Sequence, residues 1–410
     1  MPEFLTVLPP NEALAKLFAH LPAKPQTEII AAADALNRIT AEEIRAPAPL
    51  PAFPRSTMDG YAVRAQDTFG ASQSLPAYLT VIGEAPMGRA PTFEIKPTQT
   101  AIIHTGGMLP PGADAVVQIE VTQKSHENEI EVLKAVAPGE NALRVGDDVS
   151  LGQSLFPRGH RLRPQDLGGL AGLGVTRVAV GCRPRVALLA TGDEVVDPNS
   201  EAAPGQIRDV NSYAVSGQIE RAGGIPIRRG IAPDNFTALK SAAESALAEA
   251  DALVLSAGSS VSVRDMTAEV IHELGKPGML VHGVAVKPGK PAILAVADGK
   301  PVFGLPGNPV SAMVIADLFV VPTIYRLQGY AGELPRQTIR ARITHNVPSQ
   351  AGRVDYTPAR LVLRDGESWA EPIFGKSNQI FTLVFADGMI VTPRDSNGLS
   401  EGEIVEVRLF

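Results

Sequence analysis

Two closely spaced lysines mark the stretch of this chain that is best suited to bind an anion. Lys287 and Lys290 flank Pro288 and Gly289 in a short turn rich in proline and glycine. Exposed lysines are usually only solvated, but here prolines fix the path of the backbone and glycine lets it approach a ligand closely. The turn is therefore predicted to present two ammonium groups to an oxyanion such as phosphate.

A second turn lies a few residues further along and leads into an apolar helical run. It reads Gly304-Leu305-Pro306-Gly307-Asn308-Pro309. The N-terminus of a helix offers unpaired backbone N–H groups and a partial positive charge, both of which favour a bound anion. We predict that both turns belong to one site for a nucleotide-like substrate that bears phosphate.

Three further groups of polar residues follow predicted strands, and each also has a purely structural interpretation. They are Thr191-Gly192-Asp193-Glu194, Gly258-Ser259-Ser260 and Asp265. Carboxylates beside a phosphate commonly hold Mg²⁺, and a glycine-serine turn can cradle phosphate through backbone N–H groups. The alternatives are helix caps for the carboxylates and an ordinary turn for the serines. We favour ligand or metal binding for Asp193 and Glu194, whereas Asp265, at a predicted helix start, is as well explained by capping.

The elements that must position these residues alternate between strands and helices. Apolar strands are predicted at 186–190, 225–231 and 252–256, and helices at 211–222, 235–250 and 264–274. Such alternation predicts a parallel, doubly wound sheet covered on both faces. Ligands of such sheets bind beyond the carboxyl ends of the strands, so the polar loops, including the lysine turn, are predicted to meet at one edge.

The remaining segments have other patterns. Residues 11–45 show helical spacing, with a break at 21–25 that predicts two helices, and Pro164 is predicted to start another. Short apolar runs between 75 and 135 predict a mostly β segment inserted between the helical parts. The last 75 or so residues predict a small barrel, with the strands 340–344, 356–362, 381–384, 389–392 and 403–409.

Composition excludes several classes of protein. The chain has 410 residues and a net charge of −7, which argues against a nucleic-acid surface. Cys182 is the only cysteine, so an internal disulfide is impossible. We find no signal peptide and no apolar stretch of the length that spans a bilayer, with Asp317 interrupting the best candidate, and therefore expect a cytoplasmic protein without a membrane partner.

Other polar residues are ambiguous when taken singly. Asp59 precedes Gly60, a common turn pair, and Thr105 and Asp148 also stand in predicted turns. Asn211 is predicted to cap the helix that follows it. The sequence shows neither a nucleophilic triad nor a GxxxxGK[ST] loop, which disfavours ordinary ATP hydrolysis.

Taken together, six motifs in a fixed order resemble those of one family. They are Ser56-Thr57-Met58-Asp59-Gly60-Tyr61-Ala62, His104-Thr105-Gly106, Pro111-Gly112-Ala113-Asp114-Ala115-Val116-Val117, Thr191-Gly192-Asp193-Glu194, Val286-Lys287-Pro288-Gly289-Lys290-Pro291 and Gly304-Leu305-Pro306-Gly307-Asn308-Pro309-Val310-Ser311. The chain resembles the MoeA family of molybdopterin molybdenumtransferases, related to the E domain of gephyrin, from about residue 11 to the end.

The resemblance implies a homodimer of four-domain subunits. Domain I, an α-rich linker, takes 11–52 and 140–182, the mostly β domain II takes 53–139, the α/β domain III of the molybdopterin-binding fold takes 183–330, and the β-barrel domain IV takes 333–410. Such enzymes insert molybdate into adenylylated molybdopterin with Mg²⁺ and release AMP. The molybdopterin adenylyltransferase and acceptor molybdoenzymes are the implied transient partners.

The resemblance also implies a role for each matched residue. Asp59, Thr105 and Asp148 would face the site from the second subunit. Glu194 and Asp265 would be the carboxylates of domain III, and Lys287 and Lys290 would attract molybdate or phosphate. Pro306 and Pro309 would shape the substrate loop, and Ser377 of the C-terminal domain also matches, as a substrate-binding residue. Glu194 and Asp265 would be the metal ligands.

Some positions depart from the family pattern, and other functions stay open. Ala257 and Ser262 stand where glycines are usual, Arg55 replaces an Asn, and Asn378 replaces a Gly. A loop that needs a positive φ at 257 or 262 would have to shift. The alternatives are a non-catalytic scaffold or carrier of the same fold, an adenylyltransferase, which the additional domains disfavour, and an enzyme that inserts tungstate.

Overall fold

The computed structural model of the chain describes residues 7–256 and 261–410. Helix α1 (Pro10–Phe18) starts with proline in its first turn, as that residue prefers, and buries Ala13 and Leu17. The second predicted N-terminal helix is wrong, because β1 (Thr27–Ala31) is a strand that pairs antiparallel with residues 177–181. Its β-branched residues favour the extended form, and the partner strand decides the conformation. Two short strands follow, β2 (Ile44–Arg45) and β3 (Arg55–Ser56).

The next segment forms one six-stranded sheet in the order β7-β4-β6-β5-β9-β8. The mostly β structure predicted for residues 75–135 is confirmed. Val63, Leu79, Val117 and Ile130 form part of its apolar core. The strands are β4 (Gly60–Val63), β5 (Ala77–Glu84), β6 (Gln99–Ile103), β7 (Ala115–Gln118), β8 (Thr122–His126) and β9 (Glu129–Val132).

After this sheet the chain returns to its N-terminal segment. The elements are β10 (Ala142–Leu143), β11 (Ser154–Phe156), α2 (Pro164–Gly172) and β12 (Arg177–Gly181). β10 pairs with β3, β11 with β2 and β12 with β1, so every strand of the return pairs with an earlier one. Helix α2 begins at Pro164 as predicted. The six-stranded sheet is therefore inserted into a unit that is built of two segments distant in the sequence.

The second large sheet has the order β16-β13-β17-β21-β20-β18. Its first four strands are parallel, as predicted. β20 runs antiparallel to both of its neighbours, β21 and β18, so the prediction of a wholly parallel sheet is wrong for this strand. The strands of this segment are β13 (Arg185–Thr191), β14 (Val195–Val196), β15 (Ile207–Arg208), β16 (Ile225–Ala232), β17 (Ala252–Ser256), β18 (Pro277–His282), β19 (Val286–Lys287), β20 (Ile293–Ala297) and β21 (Lys300–Leu305).

Helices cover both faces of this sheet. They are α3 (Asn211–Arg221), α4 (Phe236–Ala248), α5 (Val261–Glu273), α6 (Pro309–Ile315) and α7 (Val321–Leu327). Val215 of α3 and Val310 of α6 pack with Val186 and Val254, whereas Leu239 of α4 packs on the other face with Leu253. The central strands β13, β17, β21 and β20 thus bury both alternating sets of side chains, as a doubly wound sheet requires.

The run Pro309–Leu327 is long and apolar enough to span a membrane by length and composition, contrary to our expectation from the sequence. A π-helical turn, Ala316–Val320, joins its two helices. In the window that qualifies, 72% of the run is buried inside the protein, and Phe319 is fully buried. The run is therefore part of the protein core, on the face of the sheet that α3 and α6 cover.

The C-terminal segment forms a closed five-stranded barrel, β24-β25-β22-β28-β26, in which β26 pairs back with β24. The predicted strand 381–384 is wrong. It is a helical turn, α8, in which Phe381 and Val384 are exposed while Leu383 is buried, so no alternating pattern is formed. The elements are β22 (Thr338–Ile343), β23 (Val347–Pro348), β24 (Val354–Arg364), β25 (Glu367–Pro372), α8 (Phe381–Val384), β26 (Gly388–Thr392), β27 (Gly398–Leu399) and β28 (Ile404–Leu409).

Candidate active-site cleft

The two turns predicted from the sequence meet at one edge of the second sheet. We predicted that the lysine turn follows a strand of this sheet. This is wrong, because the turn precedes β20. Because β20 runs antiparallel to β21, its first residue, Ile293, pairs with Gly304 near the end of β21. The lysine turn and the 306–309 turn are therefore neighbours beyond the carboxyl ends of the parallel strands.

Gly289 seats the lysine turn against helix α6. Its φ is +112°, a conformation that favours glycine, and a Cβ built there would lie 2.6 Å from Cγ1 of Ile315. No side chain fits at this separation unless the turn or Ile315 moves. The absence of a side chain at 289 thus fixes the backbone that links Lys287 and Lys290.

A cleft of about 760 Å³ lies between this edge and the C-terminal barrel. Both turns line it, and so do β24 and the segment 373–378. Its cationic side chains are Lys287, Lys290, Arg353 and Lys376, and Asp355 is the one acidic residue among those that line it. The cleft is therefore cationic in a chain whose net charge is −7.

Asp355 stands between two of these cations and was missed by the sequence analysis. Its Oδ1 accepts a hydrogen bond from Nε of Arg353 at 2.9 Å, and its Oδ2 lies 3.6 Å from Nζ of Lys287. The carboxylate is buried, with 4% of its side chain exposed. The sequence offered one signal for this pair. Arg353, the residue before β24, and Asp355 are two positions apart, a spacing that puts both side chains on one face of an extended chain.

The barrel also contacts the 306–309 turn directly. Asn308 donates a hydrogen bond from Nδ2 to Oγ of Ser377 at 2.9 Å, and the backbone N–H of Val310 donates to the Ser377 carbonyl at 3.0 Å. Ser377, Asn308 and Gly307 all line the cleft. The structure thus brings Ser377 to the turn with which the sequence analysis grouped it.

Asn211 links this turn to the neighbouring strand. Its Nδ2 donates to Oγ of Ser256 at 2.7 Å and to the Gly307 carbonyl at 2.9 Å. The predicted capping role of Asn211 is wrong, since Asp209 caps α3 by accepting from the N–H of Ser212. A buried amide that joins two loops at the sheet edge is a positioning group, and only the fold reveals its partners.

The loop after β13 is closed by a residue that the sequence analysis also missed. Oγ1 of Thr191 donates to Oδ1 of Asp234 at 2.7 Å, and the N–H of Asp193 donates to Oδ2 of Asp234 at 3.3 Å. In return, the N–H of Asp234 donates to the Asp193 carboxylate at 3.1 Å. Asp234 thereby fixes the loop that presents Glu194.

The two predicted metal ligands follow the carboxyl ends of different parallel strands, Glu194 after β13 and Asp265 after β17. Glu194 is half-buried, with Oε2 2.9 Å from the position that a Cβ on Gly192 would take. Asp265 is exposed on α5, and Gly258, Ser259 and Ser260 lie outside the described residues. Among residues 7–256 and 261–410, no three His, Cys, Asp or Glu side chains form a metal cage. A Mg²⁺ held by one or two carboxylates and substrate oxygens is compatible with this donor set.

Asp59, Thr105 and Asp148 do not line the cleft of their own chain. Oδ1 of Asp59 accepts hydrogen bonds from the N–H and Oγ1 of Thr105 at 2.7 and 3.2 Å, and these bonds hold the pKa of Asp59 below its ordinary value. All three residues are exposed. The Asp148 N–H donates to the Leu50 carbonyl at 3.0 Å.

Three family models match the chain. The model described as the MoeA N-terminal region (domain I and II) matches residues 8–174. A probable molybdopterin binding domain matches residues 187–326, and the MoeA C-terminal region (domain IV) matches residues 340–410. Together these models cover most of the chain.

Relatives and solved structures of the same kind align over nearly the full length. The molybdopterin molybdenumtransferases of Haemophilus influenzae and Bacillus subtilis are each 33% identical, with 98% and 100% of this chain and 98% and 96% of the relatives covered, respectively. A crystal structure of the molybdopterin biosynthesis MoeA protein from Pyrococcus horikoshii superposes with a TM-score of 0.83 at 39% identity and covers 98% of this chain and 99% of its own.

Proposed function

Because the chain belongs to the MoeA family of molybdopterin molybdenumtransferases, we propose that it inserts molybdenum from molybdate into adenylylated molybdopterin and releases AMP. The observation that supports this reaction is the cleft, in which four cations face one carboxylate. Molybdate is a dianion and the other substrate has a phosphoanhydride, so the reaction brings several negative charges together. Lysine and arginine side chains fixed in the cleft would offset that charge.

The residues around the cleft are suited to binding and charge neutralisation. In the proposed reaction the two dithiolene sulfurs bond to molybdenum while one molybdate oxygen leaves as water with the two thiol protons. Water or a molybdate oxygen attacks the anhydride, which releases AMP and leaves a phosphate on the pterin, so no protein nucleophile is required. Lys287 and Lys290 would bind the oxyanion. Asn308, held by Ser377, and Gly307, held by Asn211, would shape the loop against the substrate.

Mg²⁺ is the proposed cofactor, with Glu194 and Asp265 as its protein ligands. Bound Mg²⁺ would neutralise phosphate oxygens of the anhydride. Asp234 supports this arrangement, since it fixes the loop that presents Glu194. Two carboxylates with the remaining positions filled by water and substrate match the ordinary preference of this ion.

We further propose that the enzyme is a cytoplasmic homodimer in which Asp59, Thr105 and Asp148 of one subunit face the cleft of the other. Within one chain these residues are exposed and do not line the cleft. The adenylyltransferase that makes the substrate and the molybdoenzymes that accept the product are the proposed transient partners.

The first test is AMP release from adenylylated molybdopterin with Mg²⁺ and molybdate, for the native chain and Asp265→Ala. We expect metal-dependent release that falls at least ~100-fold in the variant. The matched control is Glu269→Gln, an exposed carboxylate on the same helix. Tight binding of the substrate without release would instead support the scaffold or carrier, and equal rates with tungstate would show that the cleft does not select molybdate.

The dimer is tested by mixing two inactive variants, Asp59→Asn and Lys287→Gln. If each site combines residues of two subunits, half of the sites in the mixed dimers are intact, and random exchange restores about a quarter of the native activity. A mixture that stays inactive after demonstrated subunit exchange would show that Asp59 and Lys287 act within one subunit, which contradicts a site shared between subunits.

A further inference from the structure

A second cavity lies at the C-terminal end of α3, the end opposite to Asn211 and the cleft. Most of the charged residues in its wall are arginines. Its volume is about 290 Å³. Its walls come from the N-terminal segment, the end of α3 and helix α7. The charged residues that line it are Arg38, Arg161, Arg183, Arg221, Asp34 and Glu220. We call it the arginine cavity. Four guanidinium groups lie against two carboxylates, and although Arg38 also forms an ion pair with Glu28, the cavity keeps a net positive charge.

Two of the four arginines are fixed by backbone carbonyls. Arg183 donates to the carbonyls of Gly223 and Gly224, each at 3.0 Å, and Nη2 of Arg38 donates to the Gly181 carbonyl at 2.8 Å. The carbonyls at the end of α3 are thereby occupied, and Nε2 of Gln328 takes that of Ala222. These carbonyls therefore do not face the cavity as free acceptors, although the carboxylates of Asp34 and Glu220 still line it.

The other two arginines lack such partners. Among the described residues, neither Arg161 nor Arg221 forms a hydrogen bond or ion pair through its side chain. Asp34 and Glu220 form no ion pair either, so the carboxylates of the wall do not neutralise its arginines. Attraction between Arg221, in the last turn of α3, and the helix dipole explains that residue only. It does not explain Arg161, which lies on a different element.

Two further donors line the same cavity. Nε of Arg38 is buried and has no hydrogen-bond partner among the described residues, a costly state for a donor. The Tyr325 side chain is buried, and burial raises the pKa of its hydroxyl although Arg161 and Arg221 oppose the shift. The hydroxyl is therefore protonated at neutral pH and can donate a hydrogen bond.

We propose that the arginine cavity is a second anion site, which binds the phosphate group of a small phosphorylated molecule. Planar guanidinium groups bind phosphate through paired N–H donors, and a tyrosine hydroxyl adds a neutral donor. The volume fits pyrophosphate or, at its upper limit, a nucleoside monophosphate. An anion there would join the N-terminal segment to α3 and α7, at a distance from the chemistry of the cleft.

The probe is inorganic pyrophosphate, titrated calorimetrically into the full chain that has the substitutions Lys287→Gln and Lys290→Gln. These substitutions remove two of the four cations of the cleft and weaken its anion affinity, so the saturable binding that remains is expected from the arginine cavity and should depend on Arg161 and Arg221. Adding Arg161→Gln and Arg221→Gln is expected to weaken it at least ~10-fold, whereas adding the exposed Arg177→Gln leaves it unchanged. Arg161→Lys keeps the charge but lacks the paired N–H donors, so its affinity is expected to lie between that of the native residue and that of Arg161→Gln.

The same titration with AMP identifies the source of the phosphate group. Tighter binding of AMP than of pyrophosphate indicates a nucleotide, and weaker binding indicates an inorganic anion. Loss of saturable binding in the lysine variant, or equal affinity with and without Arg161 and Arg221, would overturn the proposal. Melting curves without anion verify that each variant is folded, and Arg161→Gln alone replaces the pair if the pair is not.

Discussion

Nζ of Lys287 lies 3.6 Å from Oδ2 of Asp355, a buried carboxylate that also accepts a hydrogen bond from Arg353. Lys287 comes from the α/β sheet unit and Asp355 from the barrel, so this pair joins the two walls of the cleft. Parallel pairing of β19 with β24 brings Lys287 opposite Asp355. The orientation of two cations, Lys287 from one wall of the cleft and Arg353 from the other, thus depends on the single carboxylate of Asp355.

Asp355→Asn is expected to raise the KM for molybdate about tenfold while kcat changes less, because Arg353 and Lys287 lose the group that orients them. Loss of a buried partner of two cations should also destabilise the fold by roughly 1–3 kcal/mol. Steady-state AMP release and urea denaturation measure the two effects. Glu406→Gln is the control, since it removes an exposed charge from the same barrel. An unchanged KM would mean that Asp355 serves stability alone.

Asn211→Ala is expected to raise the KM for the adenylylated substrate about tenfold and to destabilise the fold by roughly 1–3 kcal/mol, since Ser256 and Gly307 each lose a hydrogen bond. Asn235→Ala is the matched control. Asn235 caps α4 by accepting from the N–H of Ala238, so its loss should cost about 1 kcal/mol without a change in KM. If the KM for the adenylylated substrate were the same in both variants, the positioning role of Asn211 would be contradicted.

Gly289→Ala is expected to lower kcat/KM at least ~100-fold, because the new Cβ collides with Ile315 and displaces the lysine turn. Gly299→Ala separates this collision from backbone strain. Gly299 also has a positive φ, +86°, but a Cβ there meets no atom within 4 Å. Rate measurements should show a large loss at 289 and a small one at 299. A similar loss in both variants would implicate strain rather than the contact with Ile315.

Asp166→Asn is expected to destabilise the unit around α2 by about 2 kcal/mol at neutral pH. Burial raises the pKa of Asp166, but hydrogen bonds from Arg163 and His160 outweigh it and hold the pKa at about 2. The folded-state pKa lies below the ordinary value of 3.8, so the carboxylate stabilises the fold fully above that value. This contribution is lost as the pH falls towards 2.

The measurement is urea denaturation of both proteins between pH 3 and 7. The difference in unfolding free energy should be constant at neutral pH and shrink as the pH falls below about 4. Glu12→Gln, an exposed carboxylate in the first turn of α1, is the control and should show little difference at any pH. A pH-independent difference would assign the effect of Asp166 to packing.

The sequence by itself determined the order of elements where local patterns are strong. Strand β17 coincides with the predicted 252–256, and α3 and α4 begin within one residue of their predicted positions. Ordered motifs identified the family and the two turns of the cleft, because glycine, proline and lysine at fixed spacing restrict the backbone locally. The domain bounds and the individual roles of the site residues stay predictions.

Only the tertiary structure decided the features that depend on distant partners. Residues 27–31 became a strand because 177–181 pair with them, and 381–384 became helical because the barrel closes without them. The reversed direction of β20 decided which edge the lysine turn joins. Asp355, Asn211 and Asp234 acquired positioning roles through hydrogen bonds and ion pairs with residues at least 40 positions away. Such contacts have no local pattern, since chain closure rather than residue spacing brings the partners together.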